Sequence, residues 1–262
     1  MNSIVDDKKR VKHWETTVQL LWNIPELVVG LERTLQLGSN MKILDASCGT
    51  GDLAIELARK GYTVECSDAD ISMLLRSEEK RKLLEEHSEN IIIDEKATEW
   101  RNLLQRKRQK YDVVIIRGNS LPYVCSWSNE EHEAVFDVEA ADRALLESFK
   151  GVRSILKTGG LFYFDMRSLY EKEGRELAGE KELGGIMTRL SFDVQYKQGK
   201  VRQIISEINR GEEREVRIYN GYLIPFARLD DLLLQAGFRR ENIQHAVPVH
   251  GEDVYTPFIV RK

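Results

Sequence analysis

Two glycines and two carboxylates have the spacing of a nucleoside-binding site. Gly49 and Gly51 follow an apolar stretch containing Asp45, and a second apolar stretch, 62–67, leads directly to Asp68. Glycines in such a turn let backbone N–H groups approach a ligand that a Cβ would hold off, and a carboxylate after the second strand can accept both ribose hydroxyls. We therefore predict a nucleoside cofactor, with contacts from Asp45, Ala46, Ser47, Gly49, Gly51, Asp68 and Ala69.

The choice of cofactor depends on the surroundings of this turn. Residues 49–54 fit G-x-G-x-x-A, a pattern that alone is weak support for a dinucleotide. Asp45 would repel a pyrophosphate, whereas the cationic amino-acid end of S-adenosylmethionine (SAM) tolerates it. The later chain also lacks a second βαβαβ half for a nicotinamide nucleoside. The sequence thus favours SAM, with S-adenosylhomocysteine (SAH) as its product, over NAD.

Residues at the predicted ends of later strands could hold an acceptor. The Asn119 carboxamide oxygen can accept from an amine, although an Asn in a turn is often structural. Arg167, at the mouth of an otherwise apolar pocket, could bind a carboxylate or phosphate or could pair with a neighbouring acid such as Asp165. Trp100 follows the third strand, where an indole could stack on adenine or pack in the core. Met73 is a further candidate cofactor contact whose position equally suits packing of its helix on the sheet.

The elements that position these residues alternate between strand and helix. Residues 11–37 read as an amphipathic helix bent at Pro25. The predicted strands are 42–46, 62–67, 91–94, 111–116 and 160–165, and the predicted helices are 51–60, 70–87, 99–107 and 131–157. Gly159 and Gly160 are expected to cap the end of the fourth helix and to open the fifth strand. Five strands separated by helices predict a parallel α/β sheet.

The pattern changes after Asp165. A short helix near 168–178 is expected to precede an antiparallel meander over 187–197, 201–209 and 213–224, with turns at 198–199 and 211–212. A helix at 227–237 and strands near 242–247 and 254–260 then close the chain. A helix followed by two strands suits a sheet whose last strand is antiparallel. This order resembles the Rossmann-like, seven-stranded sheet of the class I SAM-dependent methyltransferases, which implies an antiparallel insertion before the sixth strand and an N-terminal helical lid.

Composition narrows the class of protein. The 262 residues are 42% hydrophobic with a net charge of −4, so no general attraction to nucleic acid or an anionic membrane is expected. The basic run 101–110 is expected to be mainly a solvated surface. Three cysteines without a pairing pattern, no signal peptide and no apolar run long enough to span a bilayer favour a cytoplasmic protein without a membrane segment. His245, His250, Glu252 and Asp253 fit no recognised metal-site spacing.

Several motifs together resemble the glycine (sarcosine) N-methyltransferases. They run in family order over nearly the full chain: 43–51, 67–69, 118–120, 160–167 and 244–247. The resemblance implies roles for the matching positions. Asp68 would hold the ribose, Ala97, Thr98, Glu99 and Trp100 would flank the adenine, and Trp14 would cover the cofactor. Asn119 would meet the acceptor amine, Arg167 its carboxylate, and Tyr222 would line the methyl-transfer site. Where the family has an arginine for the cofactor carboxylate, this chain has Trp22–Ile24, and Arg117 is the candidate substitute.

The sequence therefore predicts a SAM-dependent N-methyltransferase acting on a small amine carrying a carboxylate, such as glycine or sarcosine. The nearest alternative is a natural-product enzyme acting on an amino sugar or modified amino acid. A nucleic-acid or protein methyltransferase and a non-catalytic SAM-binding protein are further alternatives, and homo-oligomerisation is left open. Residues 1–40 are expected to form the lid, 41–166 with 225–262 the SAM-binding core, and 167–224 an insertion covering the acceptor.

Overall fold

Two helices precede the central sheet. The computed structural model describes residues 2–106, 108–125, 137–167, 172–246 and 255–262. Helix α1 spans Asn2–Leu21 and α2 spans Ile24–Leu35. Pro25 lies in the first turn of α2, where a missing N–H costs no intrahelical hydrogen bond. The single bent helix predicted over 11–37 is therefore two separate helices.

The central sheet has seven strands in the order β10-β11-β5-β4-β1-β2-β3. These strands are β1 (Lys42–Asp45), β2 (Thr63–Cys66), β3 (Ile91–Ile93), β4 (Tyr111–Ile116), β5 (Leu156–Arg167), and, after four strands of a second sheet, β10 (Ile243–His245) and β11 (Tyr255–Arg261). Strands β1 to β5 pair in parallel, while β11 runs antiparallel to both β5 and β10. This is the predicted class I sheet with an antiparallel closing strand.

Helices cover both faces of this sheet, so residues 113–116 of its central strand are all apolar. The helices are α3 (Asp52–Arg59), α4 (Ile71–Lys82), α5 (Val138–Ile155) and α6 (Phe226–Gln235). Successive residues of β4 alternate between faces. Val114 and Ile116 join the core beneath α5 and α6, whereas Val113 and Ile115 join the core beneath α2 and α3. Burial on both faces explains why residues 113–116 of β4 form an unbroken apolar run.

The insertion is a four-stranded antiparallel sheet. It consists of β6 (Gly174–Leu183), β7 (Ile186–Lys197), β8 (Val201–Arg210) and β9 (Glu213–Tyr222), in that order. The last three strands confirm the predicted meander, and Gln198 and Gly199 both have positive φ, as tight hairpins require.

The helix expected near 168–178 is wrong over 174–178, while 168–171 lie outside the described residues. Pairing of β6 with β7 through the Gly184–Gly185 turn overrides the helical composition of this segment.

Other boundaries shift for local reasons. Helix α5 ends at Ile155 and the chain is already extended at Leu156, so Gly159 and Gly160 belong to β5 instead of capping the helix. The helix expected at 99–107 is a short 3₁₀ segment, Trp100–Gln105. The part of the fourth predicted helix at 131–136 lies outside the described residues, as do the strand positions 247 and 254.

Helix α1 crosses from the central sheet onto the insertion. A Cβ at Gly179 of β6 would lie 2.8 Å from the carbonyl oxygen of Leu20, so the end of α1 rests directly on that strand. On its other side α1 is tied to α4, because Arg10 lies 2.8 Å from Asp70 and Arg76 lies 2.8 Å from Glu15. The helix therefore spans the gap between the two sheets, above the carboxyl ends of the parallel strands.

Candidate functional site

The turn after β1 has room only for glycine at two positions. Gly49 has φ of 51° and Gly51 has φ of 81°, in the left-handed region. A Cβ at Gly49 would lie 2.6 Å from the indole nitrogen of Trp14, and one at Gly51 would collide with the side chain of Ser77. The turn is thus covered closely by α1 on one side and by α4 on the other.

Asp68 is fixed by backbone donors at the end of β2. Its Oδ2 accepts from the Gly49 N–H at 2.8 Å, and its Oδ1 accepts from the Asp70 N–H at 2.9 Å. Burial raises the pKa of Asp68 to about 6, although these backbone hydrogen bonds oppose the rise. The carboxylate is therefore oriented before any ligand arrives and is ionised above mildly acidic pH.

Asp45 is a second buried carboxyl group behind the turn. It is 2% exposed, and its Oδ1 accepts from the Ser47 N–H at 3.3 Å. Burial raises the pKa of Asp45 to about 7, the Asp68 charge adds to the rise, and Arg117 opposes it. Two acids with raised pKa values at the ends of adjacent strands are typical of a functional site.

These residues border a chamber of about 870 Å³, which we call the first chamber. Its wall contains Trp14, Ala46, Ser47, Gly49, Asp68, Ala69, Glu99, Trp100, Arg101, Ser120, Tyr123, Val124 and Cys125. The Trp100 indole N–H donates to the carbonyl oxygen of Ala46 at 2.5 Å, which holds the indole at the edge of the chamber. The structure thus brings together most of the predicted cofactor contacts.

Four predicted contacts lie behind the wall of the first chamber, namely Asp45, described above, together with Gly51, Met73 and Thr98. Gly51 begins α3, and Met73 is 1% exposed within α4. The N–H of Thr98 donates to the carbonyl oxygen of Asp68 at 2.7 Å, so this residue supports the Asp68 backbone. Met73 is buried, which agrees with the alternative prediction that it packs its helix on the sheet.

Arg117 links the turn after α1 to the floor of the site. Its guanidinium lies 5.0 Å from the ring centre of Trp22, and its Nε lies 3.8 Å from the carboxylate of Asp165, which is 1% exposed. Among the residues that the structure describes, the walls of the two chambers do not include Arg117. Its geometry therefore suits holding Trp22 in place as well as balancing the buried acids.

A second chamber, of about 630 Å³, adjoins the first. The two share Trp14, Ser120 and Tyr123. The remaining wall comes from α1 and its following turn (Thr17, Leu21, Trp22), from the strand ends (Gly118, Asn119, Arg167, Tyr255) and from the insertion (Phe192, Arg202, Ile204, Ser206, Tyr219). The insertion therefore supplies one whole side of this chamber.

Asn119 and Arg167, two of the predicted acceptor residues, meet in the second chamber. Asn119 is 5% exposed with φ of 55°, and its backbone N–H donates to Asp165 at 2.7 Å. Its carboxamide oxygen accepts from the Arg167 backbone N–H at 3.0 Å. The Arg167 guanidinium lies 5.7 Å from the ring centre of Tyr255 and 3.8 Å from Glu176, an exposed side chain. Asn119 thus has a structural bond and also faces the chamber.

The proposed position of Tyr222 requires correction. Its hydroxyl group lies 3.3 Å from Asp142 on α5, which also binds the Arg228 guanidinium, and its ring belongs to the core beneath α5 and α6. Tyr219, three residues earlier on β9, lines the second chamber instead. Residues three apart on a strand point to opposite faces of the sheet. The sequence alone does not tell which face of β9 lines the chamber, so it does not tell which tyrosine lies there.

Sequence reasoning missed the polar residues that the insertion contributes. Arg202, Ile204 and Ser206 are successive alternate residues of β8, and all three line the second chamber. That period-two pattern was visible in the chain, but its inward face was not. The described residues contain no group of three or more His, Cys, Asp or Glu side chains able to hold a metal ion. Residues 250, 252 and 253 lie outside the described part of the chain.

Comparisons with known proteins agree with this architecture. A family model described as a methyltransferase domain matches residues 37–207. A glycine/sarcosine N-methyltransferase from Aphanothece halophytica is 26% identical over 136 residues, which cover 52% of this chain and 44% of that protein. The chain thus spans less than half the length of this curated relative.

Two solved structures share the fold. The CcbJ methyltransferase from Streptomyces caelestis has a TM-score of 0.68 and 17% identity, with 90% of this chain and 88% of that chain covered. A SAM-bound amino pentose methyltransferase from Micromonospora echinaspora has a TM-score of 0.61 and 14% identity, with 85% and 83% covered. None of the described helices has the length and apolar character needed to cross a bilayer.

Proposed function

Because the chain belongs to the methyltransferase-domain family and has the class I fold of SAM-dependent methyltransferases, we propose that it methylates the amine of a small, carboxylate-bearing acceptor such as glycine or sarcosine. Within this proposal, residues 1–40 form a lid, 41–166 with 225–262 bind the cofactor, and 167–224 cover the acceptor.

The first chamber suits SAM. Asp68 presents an oriented carboxylate to which ribose hydroxyls can donate. Gly49 lies in the chamber wall, where a Cβ would collide with Trp14. Trp100 offers an indole edge beside the chamber for an adenine. When bound, SAM supplies an electrophilic methyl group on a sulfonium. Asp68, Trp14 and Trp100 would hold it.

The observation that carries the acceptor assignment is the charge of the second chamber. Arg167 and Arg202 contribute guanidinium groups to its wall, and Arg202 is only 6% exposed. The described residues of this wall include no Asp or Glu. A guanidinium in a largely aromatic and aliphatic cavity binds a carboxylate strongly and with defined orientation. This composition supports an amino-acid-like acceptor over a neutral amine.

The remaining residues orient the acceptor and exclude water. Asn119 faces the chamber from the strand ends, and its carboxamide is held by the Arg167 backbone, so its position is defined before binding. Trp14 lies between the two chambers and separates both from solvent on the α1 side. Alignment of two reactants in this way can lower a barrier by about 7–11 kcal/mol.

The aromatic walls of the second chamber favour one alternative. Phe192, Tyr219 and Tyr255 line it, and their rings offer a packing surface for an acceptor larger than glycine. An amino sugar or a modified amino acid from natural-product synthesis would use that surface. Such an acceptor would need the aromatic walls more than the two arginines.

Incubation of the protein with methyl-labelled SAM and a panel of amines, read by mass spectrometry, tests the proposal. The panel contains glycine, sarcosine, larger amino acids and neutral amino sugars. Methylation of the carboxylate-bearing amines is expected. Methylation of amino sugars alone would replace the proposal with the alternative, and no methylation of any amine would reject both.

Substitution Arg167→Ala tests the carboxylate contact. Loss of a charged hydrogen bond worth about 1.5–3 kcal/mol should raise the acceptor KM roughly 10- to 150-fold. Arg189→Ala, an exposed arginine of the same insertion that pairs with Glu180, is the matched control and should leave KM unchanged. An Arg167→Ala KM within about threefold of wild type would remove the carboxylate role from this residue.

A further inference from the structure

A buried histidine connects α1 to the insertion beside the second chamber. His13 is 1% exposed, and its Nε2 lies 2.8 Å from the hydroxyl oxygen of Ser206 on β8. Its Nδ1 lies 3.4 Å from the carboxylate of Glu215 on β9. Ser206 itself lines the second chamber. A continuous line of polar atoms therefore runs from the chamber wall, through an imidazole, to a carboxylate.

Strand register places these groups on one face of the insertion. Ser206 lies two residues from Ile204 and four from Arg202, and all three line the chamber. Glu215 is paired with Ile208, one alternate position further along β8. Helix α1 crosses this face, so that His13 bridges the two neighbouring positions. The arrangement arises from the docking of α1 and cannot form within the insertion alone.

The charge of Glu215 favours one tautomer of His13. Its carboxylate lies 3.4 Å from Nδ1, outside hydrogen-bond geometry, and because a carboxylate attracts an N–H, its charge favours a hydrogen on Nδ1. In that neutral imidazole Nε2 is the acceptor, and the Ser206 hydroxyl donates to it. Because Ser206 lines the chamber, the lone pairs of its Oγ remain for a ligand there. Such an oxygen can take a proton from a ligand while passing its own to Nε2.

An amine acceptor needs such a step. At neutral pH an aliphatic amine is protonated, and an ammonium has no lone pair to attack a methyl group. We propose that Ser206, His13 and Glu215 form a relay that removes the proton from the acceptor's ammonium, an inference that rests on the proposed N-methyltransferase function. One N–H bond of the ammonium breaks and an O–H bond forms at Ser206, while the original Ser206 proton moves to His13. The products are a neutral amine and an imidazolium that faces Glu215.

The surrounding charges are arranged for this transfer. Although burial raises it, contacts with His13 and Arg217 hold the pKa of Glu215 below its usual range, so Glu215 is ionised at neutral pH. Arg217 lies 3.4 Å from Glu215 and is paired in register with Ser206, and Arg202 lies on the same face. On α1, Arg10 is one turn before His13 and pairs with Asp70 of α4. Glu215 thus faces the imidazolium that the transfer forms, and these arginines are the other charged groups on the neighbouring elements.

The test compares the pH dependence of kcat/KM in Ser206→Ala and Glu215→Gln with that of wild type, from pH 7 to 10. The substrate is whichever amine of the panel is methylated fastest. A lost proton-transfer step typically costs 10²- to 10⁴-fold, and at least about a 100-fold loss is expected at pH 7 for Ser206→Ala. The loss should shrink as pH approaches the pKa of the amine, because solution then supplies the neutral form.

Controls separate this role from a structural one. Ser191 lies on β7, pairs with Glu207 of β8 and is absent from the chamber wall. The Ser191→Ala variant should therefore retain wild-type kcat/KM at every pH. Binding of SAH by calorimetry confirms that each variant is folded. His13→Gln is a third variant, and Ser206→Ala and Glu215→Gln keep the test valid if loss of the buried imidazole unfolds the protein.

The outcomes distinguish the relay from the function on which it rests. A loss in Ser206→Ala that is independent of pH, or no loss, would overturn the relay while leaving the N-methyltransferase function in place. Failure of the wild-type protein to methylate any amine would overturn both. A pH-dependent loss shared by Ser206→Ala and Glu215→Gln would support the relay.

Discussion

Asp68 illustrates how a single carboxylate can be prepared for a ligand by its backbone. Two N–H groups fix its oxygens, and burial raises its pKa to about 6. Ribose hydroxyls donate to the ionised form, so binding of SAH should favour loss of the proton. Below pH 6 that proton must be displaced, and the affinity for SAH should fall by up to about tenfold per pH unit.

Asp68→Asn is expected to weaken SAH binding and to remove this pH dependence. At pH 8 the lost charged hydrogen bonds, worth about 1.5–3 kcal/mol, should raise Kd roughly 10- to 150-fold in calorimetry. Asp112→Asn, at the amino end of β4 where the Lys42 N–H donates to it, is the control and should bind SAH as wild type does. Equal Kd values for Asp68→Asn and wild type would exclude Asp68 as the ribose anchor.

The glycine turn depends on both backbone conformation and close contact with α1. Gly49 and Gly61 both have positive φ, 51° and 89°, but only at Gly49 would a Cβ meet a neighbour, the Trp14 indole at 2.6 Å. Each substitution by Ala should lower the free energy of unfolding by about 1–2 kcal/mol through its left-handed backbone.

Only Gly49→Ala should also displace Trp14 from the wall that the two chambers share. We expect this variant to bind SAH at least about tenfold more weakly, whereas Gly61→Ala should bind it as wild type does. Urea denaturation measures the first effect and calorimetry the second. The same SAH affinity in both variants would show that Trp14 contributes little to the cofactor site.

Across the whole protein, the buried acids make stability depend on pH in an unusual direction. Asp45 and Asp68 titrate near 7 and 6 when folded but near 4 when unfolded, so between these values the folded state holds more protons. Their contribution to the free energy of unfolding therefore falls as pH rises from about 4 to 7. Glu207 acts oppositely, because contact with Arg214 lowers its pKa to about 2 and its contribution is lost on acidification.

Asp45→Asn should reduce the fall in the free energy of unfolding that wild type shows as the pH rises. At pH 8 wild type bears the cost of an ionised buried carboxylate, so the variant should be more stable, by about 1 kcal/mol or more. The difference should be smallest near pH 4, where Asp45 is protonated when folded and already about half protonated when unfolded. Urea denaturation at pH 4, 5.5 and 8 measures this, with Asp112→Asn as the control. A variant less stable than wild type at pH 8 would contradict the origin assigned to the pKa of Asp45.

Much of the central sheet could be predicted from the sequence because the patterns that indicate it are local. The apolar run of β4, the glycines at 49 and 51 and the acid after β2 each report a backbone requirement that neighbouring residues satisfy. The seven-stranded order and its antiparallel closing strand follow from those signals and from the limited ways of connecting parallel strands. The predicted placement of cofactor contacts around Asp68 and Trp100 follows for the same reason.

The acceptor side could not be worked out in this way. Tyr219 and Tyr222 are the same residue type and lie three residues apart on β9. Only the packing of β9 on α5 determines which of them enters the second chamber. Arg202, Ser206 and His13 come together because α1 docks across the insertion, a contact between segments nearly 200 residues apart. Packing between distant segments determines which face of each strand lines the chamber. The local sequence of one strand does not contain that information.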